Sequence, residues 1–149
     1  MKKRNWVLTI VGAAVLFVTP AKAVEVGIPF SFNDAFNIGA RIHLSEFYAV
    51  QPSVGLFVEG DYTNFSLSVN NLFYLFQMRG IDQYVGAEVF LILETDMDNS
   101  FGLSGMYGLQ YPITEVFNLF GEFGAVLNIQ PNTFFSTFRT SVGVIFYPW

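Results

Sequence analysis

The sequence predicts an all-β fold, an eight-stranded antiparallel up-and-down transmembrane barrel with short loops. Three observations predict it. Apolar and polar residues alternate with period two along most of the chain, as side chains do on the two faces of a strand. Aromatic residues make up 18% of the chain and charged residues only 13%, so a soluble sheet would lack the charges to clothe its outer face. Finally, no segment after the N-terminal region has the length and apolarity of a spanning helix, which needs about 20 residues.

The N-terminus reads as a leader. Lys2, Lys3 and Arg4 precede the apolar run Trp6–Val18, and Ala21-Lys22-Ala23 is a small-x-small cleavage site. Residues 1–23 are therefore expected to be a secretory signal peptide, and residues 24–149 the barrel domain. Four of the seven basic residues leave with the leader. Arg41, Arg79 and Arg139 then face twelve acids, a formal charge of −9. Nucleic acid is excluded as a partner, because its binding needs a basic footprint. The chain has no cysteine, which excludes thiol catalysis, a disulfide scaffold and a lipid anchor on cysteine.

Eight strands are expected. In Val24–Phe32, Val24, Val26, Ile28, Phe30 and Phe32 share one face, and Asn33-Asp34 supplies turn chemistry. In Phe36–Leu44 the polar face carries Asn37, Arg41 and His43. Tyr48–Glu59 alternates across Pro52, which calls for a bulge. Phe65–Met78 alternates until Asn70-Asn71. A bulge there would turn Leu72, Tyr74 and Phe76 outward and Gln77 and Arg79 inward. Gln83–Thr95 sets Val85, Ala87, Val89, Leu91 and Leu93 against Tyr84, Gly86, Glu88, Phe90, Ile92 and Glu94. Ser100–Tyr111 sets Phe101, Leu103, Tyr107, Leu109 and Tyr111 against Ser104, Met106 and Gln110. After the break at Pro112–Val116, the seventh strand puts Phe117, Leu119, Phe123, Ala125, Leu127 and Ile129 opposite Asn118, Glu122, Gly124 and Asn128. Phe134–Trp149 is the eighth. There, polarity sends Phe138, Val142, Val144 and Phe146 outward and Arg139 and Ser141 inward.

Two spans repeat. Gly39–Gly55 and Gly108–Gly124 align without a gap at an offset of 69, with Arg41 over Gln110, Ser45 over Thr114 and Glu46 over Glu115. Each copy centres on a Ser/Thr-Glu-x-aromatic turn, and the eight-strand reading puts both turns at one end.

The apolar face is expected to meet lipid and the polar face to fill the lumen, because a closed barrel in hydrocarbon inverts the soluble arrangement. Eight strands leave room only for side chains inside. Glu59, Glu88, Glu94 and Glu122 would be costly there without partners, and Arg41, Arg79 and Arg139 are the available ones. These seven residues form the expected lumen charge network. It reads as a structural plug, or alternatively as a narrow cation-preferring path, because the inward acids outnumber the arginines. No metal or cofactor is expected; Asp96, Asp98 and Asn99 lack the further acid that a calcium loop requires.

The C-terminus carries a resemblance. Outer-membrane barrels finish on a terminal Phe or Trp behind alternating apolar residues, and Ile145, Tyr147 and Trp149 resemble that insertion signal, with Pro148 a departure from it. The chain from Val24 onward resembles the small eight-stranded outer-membrane barrels typified by outer-membrane proteins A and X. The resemblance implies an outer-membrane location, lipid at the wall, and periplasmic chaperones and the barrel-insertion machinery as partners; the short loops, where adhesins and receptors of this architecture carry long external ones, point to a non-enzymatic structural, envelope-integrity role. It would also turn Ile145 and Tyr147 toward lipid, against the polarity of that strand, which calls for a local shift near Pro148. His43-Leu44-Ser45 faintly resembles the His-x-Ser of barrel lipid A deacylases, but the Asn-Ala-Gly that follows there is replaced here by Glu46-Phe47-Tyr48. A soluble barrel binding a hydrophobic ligand is the remaining alternative.

Overall fold

In the computed structural model, residues 24–33, 35–59, 62–94, 99–130 and 132–148 are described. The expected signal peptide (residues 1–23), Asp34, Asp96, Asp98, Pro131 and Trp149 lie outside them, as does the side chain of Glu59. The strands are β1 (Glu25–Phe32), β2 (Phe36–Gly39), β3 (Arg41–Ser45), β4 (Tyr48–Glu59), β5 (Tyr62–Met78), β6 (Ile81–Leu93), β7 (Ser100–Pro112), β8 (Phe117–Gln130) and β9 (Phe134–Phe146). Each pairs antiparallel with its neighbours, and β1 closes the sheet on β9. Closure leaves no open sheet edge around the middle of the barrel, the condition for crossing hydrocarbon with strands.

β2 and β3 are one stave of the wall, giving eight in all. Both hold the same register against β4, with Gly39 opposite Ser53 and Ile42 opposite Val50. The ladder lapses at Ala40 because its neighbour Pro52 has no N–H to give; Ala40 N still donates to Pro52 O at 3.0 Å. Pro52 therefore sits in the strand without the bulge expected for it.

The faces divide as polarity requires. Val54, Leu56, Phe65, Leu67, Val89, Leu103, Phe123 and Leu127 are exposed on the outside. Arg41, Gln51, Asn70, Glu88, Ser104, Gln110 and Asn128 are buried inside. An apolar exterior around a polar interior is the arrangement of a barrel in lipid.

Two expectations are corrected. β5 keeps its alternation through Asn70-Asn71, and its register shift lies between Tyr74 and Phe76. Leu72 and Tyr74 therefore face inward, where Leu72 packs with Ala49 and Tyr84 and Tyr74 leans on that cluster. The later bulge also moves Arg79 out of the lumen. Arg79 and Gly80 form the β5–β6 turn with φ of 52° and 79°, the two positive values of a type I′ hairpin, and Arg79 is exposed. The second correction concerns β9. Its register shift against β8 lies earlier, between Ser136 and Arg139; from Arg139 the alternation runs on, so Ile145 and Tyr147 point inward, 0% and 5% exposed, while Val142 and Val144 point out.

The repeat has a structural meaning. Its two turns, β3–β4 and β7–β8, lie at the end of the barrel where β1 begins and β9 ends, the terminal end. Ser45 Oγ accepts from Phe47 N at 3.2 Å, and Thr114 Oγ1 accepts from Phe117 N at 3.0 Å. Equivalent hydroxyls thus hold both turns, standing in for a backbone carbonyl.

Candidate functional site

The interior carries two clusters. The first surrounds Arg41, which β3 points into the barrel with no exposed surface. Arg41 Nε donates to Gln51 Oε1 at 2.6 Å, and one terminal nitrogen donates to Gln110 Oε1 at 2.8 Å and to Tyr74 Oη at 3.3 Å. The other terminal nitrogen lies 3.5 Å from Glu122 Oε1. Tyr84 Oη donates to the same carboxylate oxygen at 2.8 Å. The guanidinium sits 5.1 Å from the ring centres of both Tyr84 and Phe120, within cation–π range. A buried charge is tolerated where most of its hydrogen-bonding capacity is met and an opposite charge is near; here β4, β5 and β7 supply acceptors and β8 the opposite charge, while the second terminal nitrogen has Glu122 near it but no hydrogen bond.

Local sequence explains how large rings fit in so narrow a lumen. Tyr84 lies opposite Gly108 across the β6–β7 ladder, Phe90 opposite Gly102, and Phe120 opposite Gly143 across β8–β9. In each pair the ring rests where a Cβ on the glycine would collide with it. Glycine inside a strand marks such close approach.

The second cluster lies toward the end opposite the termini. Arg139 on β9 pairs with Glu88 on β6 through both terminal nitrogens, one of them 3.3 Å from Glu88 Oε1. Ser104 Oγ donates to Glu88 Oε2 at 2.8 Å and lies 3.1 Å from Arg139. Above the pair opens a cavity of about 580 Å³. Glu94 lines it and accepts from Ser100 Oγ at 3.1 Å.

The structure thus brings Arg41 to Glu122 and Arg139 to Glu88, as two clusters rather than one network. Glu94 stands at the cavity wall, Arg79 lies outside, and the Glu59 side chain falls outside the described residues. Sequence reasoning missed Tyr74 and Phe120 as interior residues. For Phe120 a signal existed: an aromatic on the polar parity, in a chain whose neighbouring strands carry glycines on theirs.

His43 lies in the terminal-end cavity of about 470 Å³. Its Nε2 is 3.1 Å from Tyr147 Oη, and its ring centre is 5.3 Å from that of Tyr74. Among the described residues, no group of three or more His, Asp or Glu could hold a metal ion.

No protein-family model matches the chain, and no curated protein matches it in sequence. Solved structures do match its shape. The N-terminal β-barrel domain of Pseudomonas aeruginosa OprF superposes with a TM-score of 0.60 at 17% identity, over 83% of this chain and 95% of that one. Neisserial surface protein A (NspA) gives 0.55 at 15% identity, over 83% and 94%. A major outer membrane protein from Thermus thermophilus gives 0.56 at 13% identity, over 84% and 99%. At such identities the likeness speaks for architecture, and on that ground, together with the inverted polarity of its faces, the chain has the fold of the eight-stranded outer-membrane β-barrels.

Proposed function

We propose that the chain is an integral outer-membrane barrel with a structural, envelope-integrity role and a lumen closed to ions. The observation that carries this reading is the Arg41 layer. Arg41 and Tyr84 have no exposed surface and Phe120 is 2% exposed, which supports a lumen closed at this level. The layer ties five strands together through one guanidinium, which suits a rigid wall better than a pathway. The reading includes no catalytic step. Lipid covers the apolar exterior, and the exported chain reaches its membrane through the secretory route, periplasmic chaperones and the barrel-insertion machinery. That machinery reads Ile145, Tyr147 and Trp149 while the last strand is still unpaired, before Ile145 and Tyr147 turn into the closed lumen.

Planar-bilayer recording of the purified chain tests the reading: no stepwise conductance is expected from the wild type, and steps are expected from Tyr84→Ala. Recovery in a soluble periplasmic fraction without detergent would defeat the membrane assignment itself. One observation favours a second reading. Glu88, Glu94 and Glu122 outnumber Arg41 and Arg139 along the interior, which would make any open path cation-preferring; stepwise, cation-selective currents from the wild type would put this reading first.

A further inference from the structure

The barrel wall is uneven at the end opposite the termini. β9 pairs with β1 only from Val142 to Phe146. Among the described residues, Phe134–Ser141 of β9 have no strand partner on that side. At ~3.3 Å per residue, these eight residues stand on the order of 26 Å along the strand beyond their last β1 neighbour. On the other flank, β2 begins at Phe36, opposite Leu56, while β4 continues through Phe57, Val58 and Glu59. The short β1–β2 hairpin is therefore a dip in the wall between β4 and β9. Phe32 and Phe36, with ring centres 5.2 Å apart, form its sill.

The flanks of the dip are apolar on their outward side. Val58 on β4 and Phe135 on β9 are exposed, and Phe138 on β9 is 87% exposed. Strand surface of this kind belongs in hydrocarbon rather than in water, so the dip lies at the level of the lipid chains.

Directly behind the dip is the 580 Å³ cavity. Asn33, Ala35 and Asn37 from the sill line it, with Phe57 from one flank and Ser136 and Phe138 from the other. Its wall also includes Asn128, which is 9% exposed and whose Oδ1 accepts no hydrogen bond. A buried acceptor without a partner calls for a donor. Among the described residues that line the cavity, the charges leave nothing for an anion: Arg139 is engaged by Glu88 and Ser104, and the remaining formal charge is the carboxylate of Glu94.

We propose that the dip is a lateral portal, through which a single-chain amphiphile with an uncharged, hydroxyl-bearing head enters the cavity from the membrane. The acyl chain passes between Phe57 and Phe138, and a head hydroxyl donates to Asn128 Oδ1 once a rotation of that side chain turns the buried oxygen to the cavity. The monoacylglycerols are the chemical class that fits. This inference rests on the membrane reading given above.

The test uses the chain folded into phosphatidylcholine vesicles containing a monoacylglycerol with a diazirine in its acyl chain. After irradiation, adducts are mapped by mass spectrometry. Adducts are expected on the inner-wall residues Phe57, Phe90 and Ile92. They should be competed by unlabelled monoacylglycerol and not by the corresponding fatty acid. Asn128→Leu should lower the inner-wall yield about five-fold, the worth of one net hydrogen bond of ~1 kcal/mol. Ser136→Phe, which narrows the cavity without touching that acceptor, should lower it as well, and it decides the matter if Asn128→Leu does not fold. Adducts confined to outer-wall residues such as Val54 and Leu67 indicate bulk lipid only and overturn the portal, as does an inner-wall yield indifferent to both variants. Heat-modifiable migration of the same samples reports insertion separately. Inserted barrel without inner adducts defeats the portal alone; failure to insert defeats the membrane reading and the portal with it.

Discussion

Arg41 has no exposed surface, whereas Arg139 is 29% exposed, although each is an arginine held inside the same barrel beside a glutamate. Arg41 is met by two glutamines, a tyrosine hydroxyl and two aromatic faces as well as by Glu122. Arg139 has Glu88 and one serine, with an open cavity beside it. The difference teaches what satisfies a charge in a narrow lumen. In the Arg41 layer the protein itself supplies the partners of all but one terminal nitrogen, which has only the nearby charge of Glu122. Toward the far end water can share the task, so fewer protein groups are needed and the wall can open.

Substitutions put this contrast to measurement, with denaturant titration of the detergent-folded barrel as the readout throughout. Arg41→Ala should be the most damaging, costing about 3–5 kcal/mol, because it strands Glu122 in a place without water. Tyr84→Ala should follow at about 3 kcal/mol, since it empties the space over Gly108 and uncovers the guanidinium. Gly108→Val should cost about 1–3 kcal/mol by lifting the Tyr84 ring off its seat. Arg139→Ala should cost only about 1–2 kcal/mol, because water from the cavity can reach Glu88 and the pair is already partly screened. If Arg139→Ala equals or exceeds Arg41→Ala, the distinction between a dry and a wet layer fails. The smallest expected effect is a gain. Arg79→Asn should stabilise by about 0.5 kcal/mol, because asparagine accepts the left-handed backbone of the turn more readily than arginine; a loss comparable to that of Arg139→Ala would return Arg79 to the lumen.

The Arg79 prediction also marks where sequence stops being informative. Strand faces are legible because lipid tolerates no charge on one side and a narrow lumen collects polar groups on the other, so parity alone places Arg41, Glu88, Glu122 and Arg139 inside. The rule falters wherever the interior is filled by something apolar. Leu72 and Tyr74 look like lipid-facing residues after Asn70-Asn71, since two adjacent polar residues leave the parity open, and the register shift between Tyr74 and Phe76 leaves no mark in composition. Parity places each arginine on a face but not in a layer. That Arg41 and Arg139 serve separate clusters follows from how the strands are staggered around the barrel, which a single strand's pattern does not encode.

The two repeated spans meet at the centre. Residues 69 apart in sequence, Arg41 and Gln110, occupy equivalent positions in the two copies, and the structure joins them by a hydrogen bond. A perfectly symmetric pair could not make this bond and also balance the charge of Glu122. Two arginines would repel one another with a single glutamate between them, and two glutamines would leave Glu122 without a counter-charge. At this place the copies differ in chemistry, one supplying a charge and only donors and the other an acceptor. Asymmetry between the halves is therefore a condition of filling the barrel: where like would meet like on the axis, the sequence has to choose two different residues.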